Sequence, residues 1–538
     1  MEIQYLLDGK ICSTTESNDD LLISLKEEKK HFGVSLKAKK DIVLKRVVSQ
    51  IEFHHHKDNL YYLNGYQGWS RTLEASIKTK EKDAMNFPKF LLEKFPIQRY
   101  GDYEFYEYKR NKLHSYDIFY VISKEENIGI LNNIPKEVTL IVEINKKDKA
   151  HLNLIADVEY IHLKKDEERV IYDYEVFENK EETLKAFNNK YPIININKIY
   201  GYTSWYNYYQ DINEEIMLRD LEGLDSKFNL FQIDDGYETF VGDWLDVDEK
   251  KFPHGLKPII DKIHSKNLKA GLWLAPFVAE ENSKLFKEHP EYFKLDKDNK
   301  PIKVGVNWSG QYVLDIEKKE VRDYIQKCLE HYMDLGIDFF KLDFLYAINC
   351  GELKKSRTET SEEGYKFLRS VLSDKLILGC GALPFNSYKN FDYLRIGPDM
   401  TLDWDDKPLM RLLHGERPST KHTTRNTIYR QIFDKRLFGC DPDVFLLRDI
   451  NIKLTFEQRR ALATVDALCG SVFMNSDDMV LYSKEAKETL EKVHDLFMNA
   501  KDVKQTTNKK YIHIEYTLNN EHHSFDYNKK KGVLENER

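Results

Sequence analysis

The sequence predicts an α/β fold, a (β/α)8 TIM barrel set between an N-terminal β-sandwich and a small C-terminal β domain. Three observations carry this expectation. Up to about residue 190 the chain is rich in short alternating segments such as "NIGILNNI", "EVTLIVEI" and "HLNLIADVEYIHL", divided by charged or Asn-containing turns, which is how sandwich strands read. From about residue 195 short apolar strands alternate with amphipathic helices, the order that builds a parallel sheet. After about residue 500, "KKYIHIEYTL" and "HHSFDY" read as two further alternating strands before the charged tail "NKKKGVLENER". The expected domains are 1–192, 193–498 and 499–538.

A chain of 538 residues exceeds one ordinary domain, and 41% hydrophobic with 13% aromatic content supplies an ample core. The net charge of −8, spread over 82 basic and 90 acidic side chains, offers no basic face for nucleic acid. "MEIQYLLDGKIC" has no positive stretch followed by an apolar one, and no segment offers the ~18 uninterrupted apolar residues of a membrane helix. A soluble, cytoplasmic protein is expected. Cys12, Cys328, Cys350, Cys380, Cys440 and Cys469 lie far apart with no CxxC pair, which suggests neither a zinc site nor a disulfide scaffold. "NWS" at 307–309 matches a glycosylation acceptor, but without a secretion signal it carries no weight. In "HHH" at 54–56 only His54 and His56 would share a strand face, which falls short of a metal site. No metal or cofactor is expected.

The barrel strands are, in order, "KIYGYTSW", "FNLFQID", "LKAGLWLAP", "FFKLDF", "KLILGCG", "YLRIGPD", "DVFLLR" and "SVFMNSD". In "DIEKKEVRDYIQKCLEHYMDLG", Val321, Tyr324, Ile325, Cys328, Leu329 and Tyr332 form one helical stripe, with Asp315 as the expected N-cap and Gly336 as the stop. No GxGxxG or P-loop follows the first strand. A closed barrel is therefore favoured over an open doubly wound sheet, and nucleotide binding is disfavoured.

Polar residues crowd the C-terminal ends of these strands. Gln232, Asp234 and Asp235 end the second, Trp273 sits in the third, and Lys341 and Asp343 end the fourth. Cys380 ends the fifth, Arg395 and Asp399 the sixth. Catalytic groups converge at that face of such barrels. Lys341 and Asp343 are two apart and so point the same way; Arg395 and Asp399 do too if the strand stays extended across Gly397. Charges at a barrel mouth are costly unless something uses or neutralises them. A structural ion pair closing the top of the barrel is open for each pair alone, but two such pairs, an Asp-Asp doublet and tryptophans on neighbouring strands favour function. Two carboxylates with aromatic walls and no metal motif suit glycoside hydrolysis, one attacking the anomeric carbon and the other protonating the leaving oxygen. Lys341 beside Asp343 would favour the ionised form that a nucleophile needs.

In order and spacing, "SWYNYYQDI", "FQIDDGYETFVGDW", "FPHGLKPIIDKIHSKNLKAGLWLAPF", "FFKLDF", "LILGCG", "RIGPD" and "DPDVFLLR" resemble glycoside hydrolase family 36, the α-galactosidases. The likeness covers about 195 to 480, and the family's layout also has a β-sandwich before the barrel and a small β domain after it. It implies a retaining double displacement with Asp343 as nucleophile and Asp399 as acid/base. It implies that Asp234 and Asp235 bind the hydroxyls at the far side of the sugar, that Trp273 stacks on its apolar patch, and that Lys341 and Arg395 hydrogen-bond hydroxyls. Cys380 would lie near the 2-hydroxyl, Trp205 and Tyr206 would close the side of the first strand, and Trp69 of "NGYQGWS" would reach in from the N-terminal domain. Core or interdomain packing competes with these roles for Trp205, Tyr206 and Trp69, and an inert buried thiol for Cys380. The loop "MTLDWDDKPLMRLLHGERPSTKH" after Asp399 matches no family residue.

The implied activity is an exo-acting α-galactosidase on small α-galactoside oligosaccharides. An α-N-acetylgalactosaminidase, a transgalactosylase and a silent sugar-binding protein on the same barrel stand as alternatives. Many such barrels form symmetric homo-oligomers, but no residue here fixes a number.

Overall fold

The computed structural model describes residues 1–81, 85, 87–405 and 416–538. Two seven-stranded antiparallel sheets form the N-terminal sandwich. The strand Thr139–Asn145 shows why its sequence does not alternate cleanly. Leu140, Val142 and Ile144 enter the sandwich core, whereas Ile141 on the opposite face joins the core that continues into the barrel. Both faces of this sheet are covered, so both parities of the strand are apolar. The strand Ile42–Glu52 ends before the three histidines, and His55 is held by Tyr61 and the His151 carbonyl; His54 and His56 are not strand neighbours on one face.

Eight parallel strands build the barrel: β1 (Ile199–Thr203), β2 (Leu230–Ile233), β3 (Lys269–Leu274), β4 (Phe339–Leu342), β5 (Leu376–Gly379), β6 (Tyr393–Arg395), β7 (Gly439–Asp441, resuming at Val444–Phe445) and β8 (Val472–Asn475). The first part of β7 pairs with β6 and the second with β8, while β8 pairs with β1, so the sheet closes on itself. Pro442, with no N–H to give, breaks β7 between its two halves. All eight expected strands form, but the seventh begins earlier than "DVFLLR", and Leu446–Arg448 fall outside it. The break turns Asp441 and Asp443 together toward the barrel mouth.

The helix Lys319–Leu335 buries Val321, Ile325, Cys328, Leu329 and Tyr332 and ends at Gly336 in the left-handed region (φ 106°), as its stripe predicts. Its N-cap is Lys318 rather than Asp315, whose carboxylate accepts instead from the Glu317 N–H (3.3 Å) in the preceding turn. Two features escape the sequence pattern. A three-stranded sheet, Val278–Glu280, Lys303–Gly305 and Gln311–Val313, is inserted after β3. The C-terminal sheet has four strands, Lys501–Thr507 and Val533–Glu535 flanking the two expected ones. All six cysteines are free thiols. Among the described residues no helix is long and apolar enough to cross a membrane.

Candidate active site

At the end of β2, Asp234 is nearly saturated with donors. Its Oδ2 accepts from Lys341 Nζ (2.8 Å), Gln232 Nε2 (2.6 Å) and Thr203 Oγ1 (3.1 Å), and its Oδ1 from the Asp235 N–H (3.0 Å). Lys341 therefore pairs across the barrel with Asp234 and not with its strand neighbour Asp343. Burial works against the lysine's charge, but the Asp234 carboxylate more than offsets this and holds the ammonium above its ordinary range.

Asp343 lies one residue past β4. Trp273 Nε1 donates to its Oδ2 (3.0 Å) and the Phe344 N–H to its Oδ1 (2.8 Å). Burial pushes its carboxyl above the usual carboxylate range, helped by the charge of Asp399 and opposed by Lys341 and the two N–H donors. The expectation that Lys341 favours ionisation is right in sign, but burial outweighs it. Removing that cation in Lys341→Met is expected to raise the Asp343 pKa further. With Asp343 as the attacking carboxylate that the sequence leads one to expect, the acid limb of kcat/KM should move to higher pH; an unmoved limb would sever Lys341 from Asp343.

Arg395, at the end of β6, faces three carboxylates: Nε to Asp441 (2.9 Å), Nη2 to Asp443 (2.8 Å) and Nη1 to Asp399 (3.2 Å). Its planar fork suits such multidentate pairing. The strand does not run on to Asp399, and at Gly397 a Cβ would stand 2.4 Å from Thr423 Oγ1, so no side chain fits against the helix Thr420–Arg430. Asp399 is held by its backbone, its carbonyl accepting from Ser419 N–H (2.9 Å) and the next N–H donating to Asp443 (2.8 Å). Its side chain is 48% exposed, against 1% and 0% for Asp441 and Asp443. Of the three it alone is open to solvent. The Tyr206 hydroxyl donates to Asp443, whose carboxyl is pushed up to about 7 by burial against the pull of Arg395.

The remaining expected residues separate into two groups. Asp343, Asp399 and Trp69 border a cavity of about 260 Å³ above the barrel. Trp205 and Tyr206 line a second depression of about 640 Å³, which meets Asp399 from the other side. Cys380 is buried, its thiol pushed well above its ordinary range by burial and by Asp343 and so kept neutral. Trp69 packs edge-on against Phe344 (5.5 Å) and Tyr346 (5.6 Å). Its loop docks backbone to backbone on the barrel: Gly68 N–H donates to the Ala382 carbonyl (2.9 Å), and a Cβ at Gly68 would stand 2.4 Å from the Arg395 carbonyl. Beneath it the fully buried Arg430 donates to the carbonyls of Gly65 (3.3 Å), Gln67 (2.9 Å), Gly68 and Ile396 (3.0 Å).

Sequence reasoning missed Trp308. It stands inside the "NWS" that was read only as a glycosylation acceptor, in the left-handed region (φ 54°) on the inserted hairpin. Its indole donates to Asp235 Oδ2 (2.8 Å), and its ring meets Trp273 (6.0 Å) and Phe344 (5.6 Å). Gln210 donates to both oxygens of Asp235 (3.0 and 3.2 Å). Burial, aided by Asp234, raises Asp235, and Glu238 behind it is pushed well above the carboxylate range by burial and by the Asp235 charge. Trp308→Phe keeps the ring and removes the donor. A hydrogen bond to a charged group is worth about 1.5–3 kcal/mol, so kcat/KM should fall roughly ten- to hundredfold; a change under twofold would leave Trp308 as packing only.

With this geometry in place, the likeness to known proteins can be stated. A family model described as melibiase matches residues 177–376. The matched segment contains Asp234, Asp235, Trp273, Lys341 and Asp343, while Cys380, Arg395 and Asp399 follow it in the same barrel. Alpha-galactosidase Mel36A of Lactobacillus acidophilus is 33% identical over 179 residues, 31% of this chain and 23% of that one. An A type blood alpha-D-galactosamine galactosaminidase of Flavonifractor plautii is 32% identical over 128 residues, 22% of this chain and 12% of its own length. The chain thus spans less than a quarter of either relative. TtGalA, an alpha-galactosidase from Thermus thermophilus in complex with p-nitrophenyl alpha-D-galactopyranoside, shares the fold with a TM-score of 0.69 over 97% of this chain and 98% of that one, at 22% identity. The resemblance to α-galactosidases drawn from the seven motifs is borne out, as is the barrel with flanking β domains.

Proposed function

We propose that the protein is a retaining, exo-acting α-galactosidase that hydrolyses terminal α-galactosides of small oligosaccharides, with residues 193–498 as its catalytic barrel. The observation that carries this is that Asp343 and Asp399, from β4 and β6, border one cavity, with the Lys341–Asp234 pair and Trp273 on the inner side. The names of its relatives point the same way. Asp343 attacks the anomeric carbon while the bond from that carbon to the leaving oxygen breaks, and Asp399 gives that oxygen its proton. Water then attacks the same carbon, Asp399 takes its proton, and the ester to Asp343 breaks to release α-galactose. Arg395, tied to Asp441 and Asp443, acts here as the group that orients Asp399, and its hydrogen bond to a sugar hydroxyl is secondary. The Asp234–Asp235 doublet, with few lone pairs left unused by the protein, accepts sugar hydroxyls in a fixed pattern and so penalises the wrong epimer.

The galactosaminidase relative makes an N-acetylgalactosaminide the second substrate to consider. The glycines beside Cys380 argue against it. A Cβ at Gly379 would meet Phe391 (2.7 Å), and one at Gly381 would meet Tyr346 (3.1 Å) and Trp69 (3.5 Å); packed rings, not open space, surround this position. Initial rates on p-nitrophenyl α-galactoside and p-nitrophenyl α-N-acetylgalactosaminide, side by side, test the choice. Strong preference for the first is expected, and preference for the second would reverse the assignment. Proton NMR of the first sugar released should show the α anomer; the β anomer would remove the retaining mechanism.

A further inference from the structure

Two openings meet at the acid/base carboxylate. Among the described residues, the cavity that reaches Asp343 and the depression beside Trp205 have only Asp399 and Pro418 in common. In the proposed reaction the anomeric carbon lies between Asp343 and Asp399, so the galactose occupies the cavity. The oxygen that Asp399 protonates joins that carbon to the next sugar and therefore stands where the two openings meet. What hangs from it either follows the cavity out to its mouth or turns into the depression.

The two routes differ in chemistry. Phe95, Ile97 and Val306 line the mouth of the cavity, and none carries a side-chain group for a hydroxyl to bond. Hydroxyls stripped of water without new partners are costly. The depression, of about 640 Å³, combines aromatic rings with polar side chains, as sites for polar organic ligands do. Trp205 and Tyr209 stand edge-on with ring centres 5.2 Å apart, and Thr401, Asp403, Asn451 and Lys453 border the same space. Rings of this kind offer an apolar body with a polar tip, which suits the C–H face and the hydroxyl rim of a sugar.

Tyr209 carries the argument furthest. Its side chain is left at the surface, the residue 45% exposed, on a backbone (φ 49°, ψ −128°) that residues with a side chain rarely adopt. Strain of this kind collects at ligand contacts. Here it has a visible use: Tyr209 borders the depression, while the next residue, Gln210, donates to both oxygens of Asp235 (3.0 and 3.2 Å). The turn is tied down, the Tyr209 N–H donating to the Trp205 carbonyl (2.6 Å) and Lys251 Nζ to the Gln210 carbonyl (2.8 Å). One rigid turn thus serves the sugar-binding doublet and the depression together.

We infer that this depression is the subsite of the leaving sugar, with Tyr209 and Trp205 covering the ring that departs and Asn451 bonding its hydroxyls. The inference rests on the α-galactosidase reading and adds to it the residues that select the leaving group.

The test is the ratio of kcat/KM for melibiose to that for methyl α-galactopyranoside. Both release an unactivated alcohol, so the ratio reports binding of the second sugar and not acid assistance. It should be at least about tenfold in the unaltered protein. Tyr209→Ala and, separately, Asn451→Ala should each lower it roughly three- to tenfold, Tyr209→Phe should keep it because the ring remains, and Phe95→Ser at the cavity mouth should not move it. Two variants on different loops guard against one that folds poorly. A ratio near one in the unaltered protein, or a ratio that Phe95→Ser lowers and neither depression variant does, overturns the inference while leaving the α-galactosidase reading intact. Failure of the unaltered protein to hydrolyse either substrate or p-nitrophenyl α-galactoside would remove both.

Discussion

Asp343→Ala is expected to abolish turnover, by at least about 10⁴-fold in kcat, as loss of a covalent nucleophile does in other hydrolases. Among the described residues the cavity wall holds two other carboxylates, Asp399 and Glu416; Asp399 is paired with Arg395, and of the Glu416 oxygens one accepts from the Arg71 N–H and the other is buried. Asp343 itself is held above the ordinary carboxylate range by burial, so alanine removes a charge that the fold is strained to keep. The thermal midpoint should therefore stay level or rise, which separates loss of chemistry from loss of structure. Alanine also opens a space beside the anomeric carbon. Azide added to the variant should restore turnover of p-nitrophenyl α-galactoside and give β-galactosyl azide, since the small anion attacks from the face the carboxylate occupied. Activity near wild type in the variant would remove Asp343 as nucleophile; an α-configured azide would mean that attack comes from the other face.

For Asp399→Ala the size of the loss should depend on the leaving group. General acid assistance contributes about 10²–10⁴-fold, and all of it is at stake when the departing oxygen is strongly basic. Methyl α-galactoside should lose roughly three orders of magnitude. With p-nitrophenyl α-galactoside, whose phenolate leaves unaided, formation of the galactosyl-enzyme should lose much less, leaving its slow hydrolysis to limit the rate because no base remains to activate water. A pre-steady-state burst of p-nitrophenol is then expected. Equal losses on both substrates, with no burst, would argue against the acid/base role. The 48% exposure of this side chain bears on the outcome: water can reach the gap left by alanine, but water aligned by nothing is a poor acid.

Much of this was legible from sequence for a definite reason. A polar residue at the end of a buried parallel strand interrupts an apolar run, and Asp234, Lys341, Asp343 and Arg395 all stand out in that way. Their partners do not. Gln210, Glu238, Asp441 and Trp308 reach the site from loops and strands whose own sequences carry no periodicity, and nothing local to "NWS" ties it to an aspartate 73 residues away. The same limit applied to the fold. Strands of three residues, such as those of the inserted sheet, are too short to show alternation, and Lys501–Thr507 is hydrophilic on both faces because it is largely exposed. Where two sheets cover a strand, as at Thr139–Asn145, alternation is lost although the strand is not. The ion pairing was misjudged because Lys341 had two carboxylates in reach, and only the three-dimensional placement of Asp234 decides between them.

The docking of the Trp69 loop over Arg430 has a consequence for how the molecule comes apart. Three of the four carbonyls that receive this guanidinium belong to Gly65, Gln67 and Gly68 of the N-terminal domain, and the fourth to Ile396 of the barrel. Burial already draws its pKa down to about 10, and a barrel stripped of the sandwich would lose three of the four acceptors and open to water the apolar core that the two domains share. The two domains should therefore melt together: calorimetry is expected to give one transition across sandwich and barrel, and the barrel expressed alone should fail to accumulate as a folded species. The loop that brings a tryptophan to the catalytic mouth is in this sense also the latch of the fold, so a chain that has lost its N-terminal half loses its active site by unfolding before it loses it by chemistry.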